Sequence, residues 1–246
     1  FVGFNMEWVS IDENTSEFFE ETGFADYRLT SQTGFTADDI EKIKDIQGVK
    51  DASRYLSVSA DIKEKSGDAV ALTVTENADV SGVKLISGDK YDENDTSGVW
   101  LSDKYAAANG FKTGDSITFN YKNLQIKCKI KGLVKSSEYL VCVRDSSQLM
   151  PDYDTFGFAY ISPALYKKAA GTAFYPQINV ISDLKKKEFT EKTEKALGKT
   201  TLILTKEESG SYSLAQGEAD EGKTMGAILP VLFLLIAVLT MVTTMH

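Results

Sequence analysis

The segment 217–224 of this chain matches a nucleotide-phosphate pattern letter for letter. The pattern G-x-x-x-x-G-K-[ST] holds phosphates on backbone N–H groups between a buried strand and the N-terminus of a helix. Here three acidic side chains lie in the loop, and the preceding residues 210–216 (GSYSLAQ) do not read as a buried strand. We therefore do not expect ATP to bind here, and we interpret 209–224 as a solvated stalk with Lys223 near lipid head groups.

Residues for catalysis or metal binding are scarce elsewhere. The single histidine is the last residue, His246, which excludes a Ser-His-Asp or Cys-His pair within a folded body. The acidic cluster Asp92–Asp95 lacks the spaced ligands and the closing glutamate of a calcium loop, and is interpreted as a solvated loop. Two cysteines without a nearby histidine do not make a zinc site. We predict a protein that is not an enzyme, with no catalytic residue, no cofactor and no metal ligand.

Cys128 and Cys142 are the only cysteines. An even pair permits a disulfide if the protein lies outside the cell. Cys128, however, falls on the apolar side of the alternating residues 124–130, where an inert buried thiol is also common. Both alternatives stay open, and two buried free thiols are favoured.

The segment Met225–Met245 contains twenty-one residues and no charge. A helix of this length reaches roughly 31 Å, which is close to the hydrocarbon thickness of a bilayer. We therefore expect a membrane span over 225–246. The apolar residues 1–6 (FVGFNM) are either a plain N-terminal end or the end of an earlier span, and in the second case the intervening chain is one loop between two spans.

Composition and charge indicate a folded body and exclude some partners. The chain has thirteen Phe and eleven Tyr, and its net charge is −9. An acidic chain without clustered Lys and Arg is not expected to bind nucleic acid. The charge itself is interpreted as ordinary solubility.

Two segments of the chain follow a strand–helix pattern. In the first, residues 24–32 read as a strand, Thr36 begins a helix with a pattern resembling a capping box, and Gly48 stands where a left-handed C-cap is expected. The alternating residues 56–62 and 70–74 then predict a hairpin around a Ser-Gly-Asp turn.

The second segment contains a strand at 177–182, a helix at 183–197 ended by Gly198, and a strand at 200–205. Two such units predict an α+β fold with a split ferredoxin-like subdomain, βαβ plus βαβ. We assign this subdomain to residues 7–86 and 162–208.

The intervening residues 87–161 are rich in short strands and turns, which predicts an inserted small β-rich subdomain. A short helix over 102–109 ends at Gly110. The predicted strands of this subdomain are 117–121, 124–130, 139–143 and 156–161.

Three segments carry a resemblance to a known family. Residues 100–117 (WLSDKYAAANGFKTGDSI) contain a helix, a glycine and a Gly-Asp before a strand, and residues 34–49 (GFTADDIEKIKDIQGV) contain a helix followed by Gly-Val. Together with the apolar segment 229–246, they resemble the extracytoplasmic domain and second membrane helix of MacB/FtsX-type ABC transporter permeases. The resemblance covers essentially the whole chain.

The resemblance implies a domain between the first two transmembrane helices, on the outer face of the cell membrane. It further implies that a separate cytoplasmic ATPase subunit hydrolyses ATP and that the permease moves in response. The implied partners are that ATPase, membrane lipid, and a second permease or a second copy of the chain. A peptide, a lipoprotein or a cell-wall enzyme is a further implied partner, and the cargo stays open.

Two functional hypotheses follow. The domain either transmits motion within a transporter, or it is a sensing or docking module that binds a peptide or a cell-wall enzyme. A transmission domain should hold its two membrane segments close together, whereas a docking module should expose an apolar patch. The aromatic segment 153–160 (YDTFGFAY) discriminates between them, and we favour rings packed in the core over rings that line a groove.

Overall fold

The structure is a computed structural model, and it describes residues 15–144, 148, 150–209 and 212 of the chain. The helices are α1 (residues 15–21), α2 (Ala37–Lys44), α3 (Asp103–Asn109), α4 (Pro163–Ala170) and α5 (Lys186–Leu197). The strands are β1 (Tyr27–Thr30), β2 (Val49–Ile62), β3 (Ala69–Thr75), β4 (Lys84–Gly88), β5 (Gly98–Ser102), β6 (Ser116–Tyr121), β7 (Leu124–Lys135), β8 (Phe156–Ile161), β9 (Gln177–Ser182) and β10 (Leu202–Thr205).

All of these strands belong to one mixed sheet. Its order is β10-β1-β9-β2-β3-β8-β5-β7-β4, and β6 pairs with both β2 and β7. The pairs β3/β8 and β5/β7 are parallel and the other pairs are antiparallel. The predicted mixture of helices and a multi-stranded sheet is confirmed.

One end of the sheet consists of four strands and the two helices α2 and α5. Strands β10, β1, β9 and β2 are neighbours in this order, each antiparallel to the next. Helix α2 packs against α5 and β2, and the Phe189 ring of α5 stacks on the Tyr27 ring of β1 with their centroids 4.1 Å apart. The buried side chains Leu29, Ile43 and Val180 are part of the core between these helices and strands.

The other end of the sheet has cores on both faces. One buries residues such as Val99, Ile117 and Ile130 together with the Tyr105 ring. The other contains Trp100 and Tyr160. The long strand β2 connects the two ends of the sheet, because it pairs with β9 at one end and with β3 and β6 at the other.

The start of α2 has the predicted chemistry, but its end does not. Thr36 accepts a hydrogen bond from the Asp39 backbone N–H, and the Asp39 carboxylate accepts one from the Thr36 backbone, which completes a capping box. The predicted C-cap at Gly48 is wrong, because the helix ends earlier and Asp45 is its C-cap in a right-handed conformation. Gly48 instead lies in the turn before β2, with φ +102°.

Most other predicted elements are confirmed. β2 and β3 form the predicted hairpin, with Gly67 at φ +94° in the turn, and α3 and α5 end at Gly110 and Gly198 in left-handed conformations. The predicted strands 117–121, 156–161 and 177–182 are present as β6, β8 and β9.

One predicted strand is wrong, and several elements were not predicted. Residues 139–143 do not form a strand, because the chain makes a 3-10 turn at Ser137–Tyr139 and then bends. The prediction missed β4, β5, α1 and α4. Helix α4 had a readable signal, since Ser162 is its N-cap and Pro163 is its first residue.

No helix among the described residues is long and apolar enough to cross a membrane. The expected spans over 1–6 and 225–246 lie outside the described residues, as do the phosphate-loop match at 217–224 and all of the stalk 209–224 except residues 209 and 212. These interpretations therefore stay predictions.

Candidate functional site

The chain enters and leaves the sheet at the same place. β1 and β10 are antiparallel neighbours, so that Tyr27, the first residue of β1, pairs with Thr205, the last residue of β10. Asp26 and Lys206, the residues just outside this pair, are bonded twice. The Lys206 backbone N–H donates to the Asp26 carbonyl at 2.9 Å, and Lys206 Nζ donates to Asp26 Oδ1 at 2.9 Å.

The Asp26 carboxylate stabilises the positive charge of Lys206. Burial alone would lower the pKa of Lys206, but the hydrogen bond and the attraction from Asp26 outweigh it, and the pKa lies above its ordinary value. The other carboxylate oxygen of Asp26 accepts a hydrogen bond from the Ser182 backbone N–H at 3.0 Å. Lys206 is therefore held in its charged form at the point where the chain leaves the sheet.

Aromatic rings extend this contact. The Tyr212 ring lies 5.7 Å from the Phe19 ring and 6.1 Å from the Phe24 ring, and Lys206 Nζ lies 5.7 Å from the Tyr212 ring centroid. Residues from the N-terminal and C-terminal parts of the chain thus stack on each other. We call Phe24, Asp26, Lys206 and Tyr212 the terminal junction.

A buried polar network connects the terminal junction to the distant part of the sheet. The Arg28 guanidinium on β1 lies 4.7 Å from the Phe24 ring centroid, and its Nη2 donates to both carboxylate oxygens of Glu138 at 3.0 and 2.9 Å. The Arg28 and Glu138 side chains are 11% and 10% exposed. Hydrogen bonds between charged groups so removed from water are stronger than surface ion pairs.

Ser81 is the centre of this network. Its Oγ donates to Glu138 at 2.8 Å and accepts from Asn179 of β9 at 2.6 Å, while its carbonyl accepts from the Tyr160 hydroxyl at 3.0 Å. Ser81 is fully buried and has φ +51°, a left-handed conformation that is unusual for residues other than glycine. Such a conformation persists where the surrounding contacts demand it.

Two tyrosines complete the network. The Tyr139 hydroxyl is 2.7 Å from Ser57 Oγ and 2.6 Å from Thr73 Oγ1, and the Tyr160 hydroxyl is 3.0 Å from Ser136 Oγ. Burial raises the pKa of both tyrosines. They therefore remain neutral at physiological pH and act as hydrogen-bonding groups.

A cleft of about 440 Å³ opens beside this network, where β4 begins and where β5 and β7 end. Four neighbouring strands, β8, β5, β7 and β4, contribute lining residues across its width, in this order Phe158, Ser102, Lys135 and Lys84. The cleft also has aromatic and cationic side chains around these positions, namely Phe18, Lys104, Tyr139 and Tyr153. Its charged residues within the described part of the chain are three lysines and Asp103.

The aromatic segment 153–160 is mainly core. Phe156, Phe158 and Tyr160 on β8 are each 4% exposed or less, which confirms the favoured interpretation. Tyr153 precedes the strand, is half-buried and lines the cleft, as does one edge of the otherwise buried Phe158. Most of these rings therefore pack in the core of the domain.

The cysteines and the acidic cluster also have settled positions. Cys128 and Cys142 are both buried free thiols, as favoured, and burial raises the pKa of each to about 12. In the acidic cluster, the Asp95 carboxylate is bonded to Lys131, and the Glu93 carboxylate accepts a hydrogen bond from the Ala78 backbone N–H at 2.7 Å. The described residues contain no group of His, Cys, Asp and Glu side chains placed to hold a metal ion.

Sequence reasoning missed Arg28, Ser81 and Glu138. Arg28 and Glu138 are 110 residues apart, and neither lies in a motif. The signal in the sequence was an arginine inside a short predicted strand, since a buried arginine requires an acceptor.

Comparisons with known proteins support the fold. The extracellular domain of the noncanonic ABC-type transporter YknZ from Gram-positive bacteria matches with a TM-score of 0.51 and 15% identity, over 73% of this chain and 97% of that one. The periplasmic region of MacB from Actinobacillus actinomycetemcomitans gives a TM-score of 0.49 and 16% identity, over 83% and 97% of the two chains. A domain of a putative permease protein from Porphyromonas gingivalis gives 0.43 and 15%, over 67% and 78%.

No protein family model matches the chain, and no curated protein sequence matches it. The likeness to YknZ shows that this chain has the fold of an extracellular domain of an ABC-type transporter. The resemblance drawn from the sequence is therefore confirmed at the level of the fold.

Proposed function

We propose that this chain is the extracytoplasmic domain of an ABC transporter permease subunit, on the outer face of the cell membrane. In this proposal the domain is not catalytic, and it transmits motion that a separate cytoplasmic ATPase subunit drives by hydrolysing ATP. The observation that carries the proposal is the pairing of β1 with β10. Because Tyr27 and Thr205 are partners, the chain enters and leaves the sheet at one place, as expected for a domain inserted between two neighbouring membrane segments.

The strand order supports the proposed division of the domain. The neighbours β10-β1-β9-β2, with α2 and α5 as their connecting helices, have the arrangement of a split ferredoxin-like unit. We assign this unit to 7–86 and 162–208, and the inserted β-rich unit to 87–161. The stalk 209–224 and the spans at 1–6 and 225–246 then connect the domain to membrane lipid.

The contacts between the two units suggest how motion would pass through the domain. A displacement of the stalk acts first on the terminal junction, where Tyr212 and Lys206 contact Phe24 and Asp26. Phe24 lies under the Arg28 guanidinium, which is bonded to Glu138 in the inserted unit. In a close-packed protein, such directly bonded groups move together.

The scattered positions of the exposed apolar residues favour this role over a docking module. In the described part of the chain the large apolar side chains that are exposed are Ile86, Met150, Phe174 and Leu202. They come from four different strands or loops. The proposal also includes a protein partner: a second copy of the chain, a second permease, a peptide, a lipoprotein or a cell-wall enzyme. We assign no surface of this chain to it.

The proposal is tested on the natural full-length protein in membranes. It should co-purify with a cytoplasmic ABC ATPase. Spin labels on Lys122→Cys, in the β6–β7 turn, and Lys199→Cys, after α5, should report a distance that changes when ATP is trapped with vanadate. The native thiols are buried and should not compete for the label.

Glu138→Gln supplies the matched variant, because it removes the charge that binds Arg28 while keeping the size of the side chain. It should reduce the ATP-linked distance change while leaving ATPase co-purification intact. Absence of any co-purifying ATPase, or a label distance that is the same with and without trapped nucleotide, would overturn the proposed function.

A further inference from the structure

The cleft contains two lysines that face each other across neighbouring strands. Lys84 of β4 and Lys135 of β7 are directly opposite each other in the antiparallel register, and both side chains line the cleft. Side chains in such positions have Cβ atoms about 5 Å apart, and like charges there are destabilising. Two lysines are thus paired across neighbouring strands in a protein whose net charge is −9.

The carboxylates of the chain neutralise these lysines only partly. Lys84 Nζ is 2.6 Å from Glu21, but both side chains are more than 40% exposed, and Lys135 Nζ is 3.8 Å from Asp103. Lys104 adds a third ammonium group, which lies 5.0 Å from the Tyr153 ring centroid. Three lysines thus face two carboxylates, Glu21 and Asp103, so the formal charge at the mouth of the cleft is positive.

Part of the cleft wall is apolar. The Tyr139 and Phe158 rings stack with centroids 4.8 Å apart. Ile86 of β4, which is 47% exposed, also lines the cleft. A volume of about 440 Å³ falls within the usual range of small-molecule sites, which combine apolar walls with a few placed polar groups.

We propose that this cleft binds a small amphipathic anion, with an aromatic or aliphatic body against Tyr139, Phe158 and Ile86 and a carboxylate, phosphate or sulfonate on Lys84 and Lys135. The bound anion relieves the repulsion between the two opposed lysines. Its body covers Ile86, one of the exposed large apolar side chains of the described chain. This site is independent of the proposed transport role.

The test uses the 246-residue chain in phosphatidylcholine nanodiscs, titrated by calorimetry with naphthalenesulfonate and with its neutral isostere naphthalenesulfonamide. The sulfonate should bind at one site, and the sulfonamide should bind about tenfold more weakly because it lacks the charge. Lys84→Gln and Lys135→Gln should each weaken sulfonate binding about tenfold. Ile86→Ser should weaken both ligands, since it removes apolar contact without removing charge.

Lys187→Gln is the matched control, because it removes an exposed lysine on α5 away from the cleft and should leave sulfonate binding unchanged. Equal binding of sulfonate and sulfonamide, or equal weakening by Lys187→Gln and Lys84→Gln, overturns the proposal. Replacing phosphatidylcholine by phosphatidylglycerol tests a lipid head group as the occupant. If the anionic lipid blocks the sulfonate in the wild-type protein, the small-molecule site is wrong.

Discussion

Arg28 and Glu138, which are 110 residues apart in the chain, meet through one guanidinium nitrogen that donates to both carboxylate oxygens. Nη1 of the same guanidinium is buried and has no hydrogen-bond partner among the described residues. The pair is therefore nearly dry, and its attraction has to offset a large desolvation cost. It joins β1 to the turn that follows β7.

Removing one partner of this pair should destabilise the protein strongly. We expect Arg28→Met or Glu138→Gln to cost about 3–5 kcal/mol in the free energy of unfolding, because the remaining group stays buried without its counter-charge. Urea unfolding followed by circular dichroism measures the change. Replacing both residues together should cost less than the sum of the single changes, since the uncompensated charge is gone.

The exposed ion pair between Lys50 and Asp183 provides the control. Its side chains are 59% and 73% exposed, and Lys50→Ala should leave the urea midpoint nearly unchanged. If Lys50→Ala and Arg28→Met shifted the midpoint equally, burial would not be what gives the Arg28 pair its importance.

Asp95 should contribute stability that depends on pH. Burial alone would raise the pKa of Asp95, but hydrogen bonds from Lys131 and from the backbone N–H groups of Ser97 and Gly98 outweigh it, so the pKa lies below the ordinary value of 3.8. A carboxyl with a lowered folded-state pKa stabilises the protein above its unfolded pKa. That contribution is lost as the pH falls through 3.8 toward the folded-state value.

The matching experiment compares urea midpoints of the wild-type protein and Asp95→Asn across this pH range. The variant should be less stable at pH 7, and the difference should shrink in acid because the wild-type carboxyl becomes protonated. Asp183→Asn, which alters an exposed carboxylate, is the control. A difference for Asp95→Asn that stays constant with pH would show that the charge of Asp95 is not responsible.

Both native cysteines should be chemically inert in the folded protein. Burial raises the pKa of Cys128 and Cys142 to about 12, compared with 9.0 ordinarily, so their thiolate fraction at pH 8 is about a thousandfold lower than that of a free thiol. Ellman's reagent should detect no thiol in the native state and both thiols in urea. Two thiols that stay undetected in urea until a reductant is added would instead indicate a disulfide.

Gly157 on β8 should not tolerate a side chain. A Cβ atom at this position would lie 2.5 Å from Cβ and 2.7 Å from Cγ of Tyr105, whose hydroxyl is fixed by Asp68 at 2.8 Å. We expect Gly157→Ala to cost about 1–3 kcal/mol, because α3 must move away from β8. An unfolding free energy within about 0.5 kcal/mol of wild type would mean that α3 packs loosely here.

Local chemistry was readable from the sequence where one short segment determines the structure. The Thr36 capping box, the Gly67 turn, and the helix ends at Gly110 and Gly198 depend on neighbouring residues alone. The strand that was predicted at 139–143 failed for the opposite reason. Its residues look strand-like, but the turn there is held by distant partners such as Arg28, Ser57 and Thr73.

Short strands and the cleft could not be read from one segment either. β5 is buried along its full length, so it shows no alternation between apolar and polar residues. The opposed lysines of the cleft face each other only because β4 pairs with β7 in a particular register. Register between strands that are about fifty residues apart depends on the whole sheet.

The pairing of β1 with β10 also determines how the domain responds to a pulling force. Pulling the chain at Asp26 away from the chain at Lys206 loads first the two bonds between these residues and then the hydrogen bonds of β1 and β10 one at a time, from Tyr27 and Thr205 inward. Sequential rupture of this kind needs less force than shearing all of the bonds together. The domain is therefore mechanically weak when Asp26 and Lys206 are drawn apart. It keeps this strand pair intact when the two residues move together.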